Sequence, residues 1–196
     1  MTSQDTHRRV LDAAEDLFFS NGITGTGVDM VANQANVAIA TLYKYSGNKG
    51  NLLREVLARR LNLWVDHWDA AIAAARTPDD RLMAIFDAFE TFRATARPTQ
   101  WCTFLATSSE LSPATEPDEV RALVERDTQL ILDRLQTLSA DVAVPDPSAL
   151  AAGILLIYNG LLASLLRGAP SDPLVTARHL ARSLITSSRS GPADRG

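Results

Sequence analysis

The 196-residue chain has little cysteine: Cys102 stands alone, so no intrachain disulfide can staple the fold. Its 10 glycines and 9 prolines exclude collagen-like and low-complexity classes. Excess positive charge is missing as well. Nineteen Lys and Arg stand against 23 Asp and Glu for a net charge of −4, which excludes a chain that coats nucleic acid through bulk charge. Met1–Arg9 lacks the charged, apolar and small-residue succession of an export signal, so cytoplasm is the expected compartment. Zinc-ligand spacing, Gly-rich phosphate loops, paired catalytic carboxylates and nucleophile–base–orienter groupings are also lacking. The expectation is no enzyme activity, no catalytic residue, no metal and no cofactor.

With 46% hydrophobic and 21% charged residues, what remains is an ordinary globular composition. The length suits one domain or two small ones packed together. Charge is unevenly spread: residues 1–60 carry seven Lys and Arg against six Asp and Glu, whereas the remainder carries twelve against seventeen. A first third less acidic than the rest is the pattern of a small nucleic-acid module on an acidic body.

Apolar residues recur at three and four along the whole chain and no strand-like alternation is found, which predicts an all-α fold. A first helix is expected over Thr6–Ser20, with Gly22 just past its end in a position that tolerates left-handed φ. Two very short helices follow, Val28–Gln34 and Ala38–Tyr45, around the turn Ala35-Asn36-Val37. Asn48 is a good N-cap for a long helix to about Ala75, roughly 40 Å at 1.5 Å per residue. Further helices are expected over Asp79–Thr95, Thr99–Leu111, Asp118–Leu138, Pro147–Leu166 and Asp172–Ser187, then a frayed tail. The division expected is a domain over 1–52 and a larger helical one over 53–196.

Ala149–Leu166 is an uncharged run of eighteen residues, long enough for a membrane span. Gly153, Asn159, Gly160 and Ser164 inside it, and the soluble composition around it, argue for a buried helix instead. A soluble helix apolar all round must be covered all round, so its second face is expected to meet a second copy of the chain. Leu155, Leu162 and Leu166, with Leu180 and Leu184 of the following helix, are the candidate interface. Membrane insertion is not expected.

Thr26–Leu53 reads as a helix-turn-helix followed by a long helix. In such a unit the second helix enters the major groove of duplex DNA, so it needs a buried face, here Ile39 and Leu42, and an exposed small or polar one. The exposed face is Ala38, Ala40, Thr41, Lys44 and Tyr45, with Tyr43 at its edge. Hydroxyls of Thr and Tyr suit phosphate oxygens, and Lys49 at the start of the long helix reaches the same strand with help from the helix dipole. Lys44 towards a guanine edge and the Ala38 and Ala40 methyls against thymine would read sequence.

Ala13-Ala14, Leu17-Phe18, Gly22, Thr26, Val28, Val31-Ala32, Ala35, Val37, Thr41-Leu42-Tyr43, Lys49 and Leu52-Leu53 together resemble the N-terminal domain of TetR-type transcriptional regulators. The resemblance covers about residues 8–55. It implies a homodimer on a near-palindromic operator, usually a repressor, that lets go when a small molecule enters the C-terminal domain. It also implies phosphate contacts at Thr26, Thr41, Tyr43 and Lys49. Trp101-Cys102-Thr103-Phe104-Leu105 with Glu110 is similar to a Cys-x-Phe-Leu segment of some members' ligand domains. Four positions depart from the pattern: Asn36 for Gly, Ala38 for a Ser cap, Ser46 for an aromatic and Gly50 for Glu. Asn tolerates left-handed φ, and the missing cap costs the second short helix on the order of 1 kcal/mol.

The body is rich in aromatics, and apolar ligand cavities are aromatic-walled with few polar anchors. Trp64, Trp68, Phe89, Trp101, Phe104 and Tyr158 are candidate walls, with Thr107, Ser108, Glu110, Asn159 and His67 as polar groups, for a small apolar or amphipathic effector. Two other classes compete with the regulator: a helical small-molecule-binding protein whose head has degenerated, suggested by Ala38, Ser46 and Gly50, and an all-α enzyme, suggested only by the aromatic body and His67.

Overall fold

The computed structural model describes residues 3–95, 103–110 and 118–190, and among these every regular element is a helix. In order they are α1 (Ser3–Asn21), α2 (Val28–Gln34), α3 (Ile39–Ser46), α4 (Lys49–Ala74), α5 (Pro78–Thr95), α6 (Thr103–Glu110), α7 (Asp118–Ala140), α8 (Pro147–Arg167) and α9 (Pro173–Arg189). The all-α expectation holds. The ends of α2 match the residues expected, and α1 begins three residues earlier than expected. Of the helix expected over Thr99–Leu111, the parts beyond Thr103–Glu110 fall outside the described residues, as do Trp101 and Cys102.

Two compact units emerge, and they do not follow chain order. One comprises the described residues within Met1–Leu63 and Ala96–Asp127, and the other those within Trp64–Thr95 and Thr128–Gly196. The first is built on Val10, Ala14 and Phe18 of α1, Ile23, Val31 of α2, Leu42 of α3, Leu52, Val56 and Leu57 of α4, and Val120 of α7, with Phe104 of α6 packed against them. Its turns are made by the residues best able to make them. Gly22 ends α1 at φ +88°, Asn36 sits at φ 52° between α2 and α3, and Gly47 closes α3 at φ +70° with its N–H on the Tyr43 carbonyl. Asn48 caps α4, its Oδ1 accepting from the Asn51 N–H at 2.8 Å.

The second unit buries rings and long aliphatics: Trp64 and Trp68 from α4, Phe86, Phe89 and Phe92 from α5, Leu135 from α7, Leu150, Ile154 and Tyr158 from α8, and Ile185 from α9. Helix α9 packs on both α8 and α5. Asp146 Oδ1 takes the Ala149 N–H at 2.9 Å, Pro147 opens the first turn of α8 and left-handed Gly168 closes it. Arg178 ties α9 to α5 through Asp87 at 2.6 Å and Glu90 at 2.8 Å.

Helix α8 is long and apolar enough to cross a membrane by length and composition, and 33% of its most apolar stretch is buried. Two of the expected interface leucines are instead occupied within the chain. Leu162 is 7% exposed, and Leu184 lies where a side chain on Gly153 would be, its Cδ2 2.5 Å from that Cβ position. The phase of an all-round apolar helix is invisible to periodicity. Leu155 is half-buried, and the apolar side chains left outward are Leu156 and Leu166 of α8 with Val175 and Leu180 of α9.

Candidate functional site

The first unit presents α3 with one side anchored and the other open. Leu42 is fully buried beneath it, and Ala38, Ala40, Tyr43 and Lys44 are exposed, with Thr41 and Tyr45 half-buried. Ile39, expected to share the anchoring with Leu42, is 46% exposed. Eight residues are too short a helix to fix their own phase; the pocket between α1 and α2 accepts Leu42, and Ile39 is carried outward. Ser46 takes the second inward position, 3% exposed, with no hydrogen-bond partner for its hydroxyl among the described residues. Ala38, at the N-cap of α3, supplies no side-chain acceptor. Tyr45 is fixed from α1: its ring stacks on His7 at 5.3 Å and its hydroxyl lies 2.9 Å from Ser3 Oγ.

Thr26, for which the resemblance implies a phosphate contact, has an inward-facing hydroxyl. It is 1% exposed, and its hydroxyl reaches back to the Gly22 carbonyl at 2.7 Å and the Leu17 carbonyl at 3.0 Å. The Gly22 carbonyl lies just past the end of α1, where acceptors lack helical partners, and the Leu17 carbonyl lies in the last two turns of that helix. Thr26 therefore completes the C-terminus of α1 in this structure. Lys49 is half-buried, its ammonium donating to the Thr24 carbonyl at 3.3 Å. Glu110 is likewise spent inside the first unit, its Oε2 accepting from the Ile23 N–H at 2.7 Å and the Thr24 N–H at 3.2 Å. This corrects its expected place among ligand anchors.

A further polar cluster of the first unit was not anticipated. Arg59 bridges Asp12 at 2.6 Å and Glu15 at 2.5 Å, while the buried Arg60 meets Glu15 at 3.3 Å. Burial works against the charge on Arg59, but hydrogen bonds and attraction from Glu15 and Asp12 hold its pKa above the ordinary value. Adjacent arginines on α4 and two acids three positions apart on α1 are the only sequence signal that could have suggested this pairing.

Of the expected effector residues, Phe104 and Thr107 belong to the first unit, where Thr107 is fully buried with its hydroxyl on the Thr103 carbonyl at 2.8 Å. Trp64, Trp68, Phe89 and Tyr158 meet in the second unit. Trp64 lies 5.5 Å from Trp68, 5.9 Å from Tyr158 and 5.5 Å from Phe92, and Phe89 is edge-on to Tyr158 at 6.3 Å. Both buried indole N–H groups, of Trp64 and Trp68, lack a partner among the described residues. Asn159 of the second unit and Ser108 of the first are exposed.

His67 and Thr91 sit together at 2.9 Å on the wall of a cleft of about 720 Å³ floored by Ala70, Ala71 and Ala74. Thr91 gives its one hydroxyl proton to the Ala88 carbonyl at 3.0 Å, so His67 Nδ1 is the donor to Thr91, and in the neutral ring Nε2 is left as an acceptor. Among the described residues no group of His, Cys, Asp and Glu is arranged to hold a metal.

The description "Bacterial regulatory proteins, tetR family" matches residues 10–56. The chain is 35% identical over 75 residues to the HTH-type transcriptional repressor SCO4008 of Streptomyces coelicolor, covering 38% of this chain and 36% of that protein. Against the HTH-type transcriptional repressor KstR of Mycobacterium tuberculosis it is 30% identical over 125 residues, covering 62% and 56%. The match thus spans about a third and somewhat over half of these relatives' lengths. The fold extends further than the sequence likeness: the crystal structure of SCO4454, a TetR-family transcriptional regulator from Streptomyces coelicolor, superposes with a TM-score of 0.83 over 95% of this chain and 97% of that one, at 22% identity.

Proposed function

We propose, from the likeness of residues 10–56 to the tetR family of bacterial regulatory proteins, that this chain is a non-enzymatic, DNA-binding transcriptional regulator of the cytoplasm, acting as a homodimeric repressor. The observation that carries the reading is α3, rigidly seated on Leu42 while offering Ala40, Tyr43 and Lys44 outward from a short helix in a tight turn. Thr41, Tyr43 and Lys49 contact phosphates of operator DNA, and Lys44, Ala38 and Ala40 read base edges, with Tyr45 steadying the helix from α1. Thr26 supports the head from inside.

The homodimer is supported by the outward Leu156, Leu166, Val175 and Leu180, an apolar surface that a second copy covers better than water or a membrane does. A two-fold pair fits successive major grooves when its recognition helices stand about 34–36 Å apart. The effector is a small apolar or amphipathic molecule. The aromatic nest of Trp64, Trp68, Phe89 and Tyr158 supports an apolar body for it, and the two unpartnered indole N–H groups support a hydrogen-bond acceptor on it. An effector that prefers a state with weaker DNA affinity releases the operator by the same coupling energy, typically about 1–3 kcal/mol.

Two observations favour the alternative of a helical small-molecule-binding protein with a disabled head: α3 lacks a side-chain cap at Ala38, and Ser46 buries a hydroxyl without a partner. Selection from randomised duplex DNA followed by sequencing separates the two. A near-palindrome enriched by the wild type and lost with Tyr43→Ala and Lys49→Ala supports the regulator; a folded, paired protein that enriches nothing supports the alternative.

A further inference from the structure

The segment between α1 and α2 is held by its peptide groups as well as by the buried side chains of Ile23 and Thr26. The N–H groups of Ile23 and Thr24 converge on a single oxygen, Glu110 Oε2, and the Thr24 carbonyl receives the Lys49 ammonium. Gly22 makes the approach possible. At φ +88° it turns the following amides outward, and a Cβ there would stand 3.2 Å from Glu110 Oε2. Glu110 is the last residue of α6, where the helix dipole disfavours a carboxylate, so the α6 helix itself gives no reason for an acid there. Two converging donors supply that reason.

We infer that Glu110 is a positioning residue for the DNA-facing surface: by holding the Thr24 peptide it sets the carbonyl that holds the Lys49 ammonium. The inference rests on the DNA-binding reading proposed above. It makes α6, 86 residues from Thr24 in the chain, part of the apparatus that presents Lys49. Glu110 itself touches no DNA.

The test compares the full-length wild type with Glu110→Ala, Glu110→Gln and Lys49→Ala, first by amide hydrogen exchange at Ile23 and Thr24 without DNA, then by affinity for the selected duplex across a salt series. Glu110→Ala should speed exchange at Ile23 by about tenfold, the worth of one charge-assisted hydrogen bond, and weaken duplex binding about fivefold with the salt slope unchanged, since no phosphate contact is lost. Glu110→Gln keeps an acceptor oxygen and should recover most of both. Lys49→Ala should instead lower the salt slope by about one and leave Ile23 exchange alone. Unchanged exchange in both Glu110 variants, or faster exchange with unchanged or tighter binding, overturns the inference. A wild type that selects no duplex sinks the DNA reading and takes the role at the DNA surface with it, while the exchange rates still decide whether Glu110 holds the loop. Should Glu110→Ala fail to fold, Glu110→Asp carries the comparison: its carboxylate stops one methylene short of the two amides, so exchange at Ile23 should still rise and duplex binding weaken, and unchanged values in it overturn the inference.

Discussion

Around Glu15 the first unit buries charge, whereas around Trp64 the second buries rings. Glu15, Thr26, Ser46 and Arg60 are all under a tenth exposed in the first unit, and three of them have named polar partners; the buried groups of α5 are Leu82, Met83, Ile85, Phe86, Phe89, Phe92 and two alanines. Hydrogen bonds and ion pairs are directional and set where a backbone lies. Apolar contact rewards area and leaves orientation loosely specified. A head that must hold α3 and Lys49 in register adds the first kind to its apolar core, and a body with an aromatic interior rests on the second. Damage should therefore travel differently: through orphaned partners in the head, through lost volume in the body.

Trp68 gives the largest expected effect. It is fully buried against Trp64, with Arg134 over its face at 5.2 Å, so Trp68→Ala should cost about 3–5 kcal/mol in denaturant unfolding. A loss under about 1 kcal/mol would mean that the body is not held by its rings. Glu15→Ala should cost less, about 2–3 kcal/mol, by leaving Arg60 without its 3.3 Å carboxylate in a buried place. Adding Arg60→Leu to that variant should restore part of the loss. A double variant no better than the single would show the cost to be packing, erasing the contrast with Trp68.

Asp127 sharpens the comparison through pH. It is half-buried, and burial pushes its carboxyl up to about 7 from an ordinary 3.8. Between those values the folded chain keeps a proton that the unfolded chain has lost, so this group's contribution to stability falls as pH rises through that window and is level above it. Asp127→Asn should flatten that decline and raise the melting midpoint at pH 8 relative to wild type, with little change at pH 4. An unaltered pH profile would remove Asp127 from the account. The smallest effect expected is a gain. Ala38→Ser should give α3 the acceptor its N-cap lacks and add about 0.5–1 kcal/mol, read in the same unfolding experiment. No gain would mean that α3 is held wholly by Leu42 and its neighbours.

Features that depend on one residue type were legible in the sequence. Gly22 and Asn36 announced left-handed backbone, Asn48 announced the start of α4, and the spacing of three and four announced helices throughout. Features that depend on which way a short or uniformly apolar helix is turned were not. Ile39 and Leu42 look alike to a periodicity argument on an eight-residue helix, and only the α1–α2 pocket distinguishes them. Leu162 and Leu166 look alike on α8, although one is buried and the other 67% exposed. For Thr26 the family resemblance implies a phosphate contact, and for Glu110 a polar side chain in an aromatic body suggests a ligand anchor. Their partners are peptide groups of α1 and of the segment after it, and for Glu110 those lie 86 and 87 residues away.

The outward leucines of α8 and α9 bear on how much of this protein a cell must make. A chain with Leu156 at 72% and Leu166 at 67% exposure is sticky whenever it is alone. Where a second copy covers that face, folding and pairing share one equilibrium, and the melting temperature rises with protein concentration. Halving the supply then removes more than half of the paired molecules at low abundance, so gene dosage acts on this protein more steeply than in simple proportion.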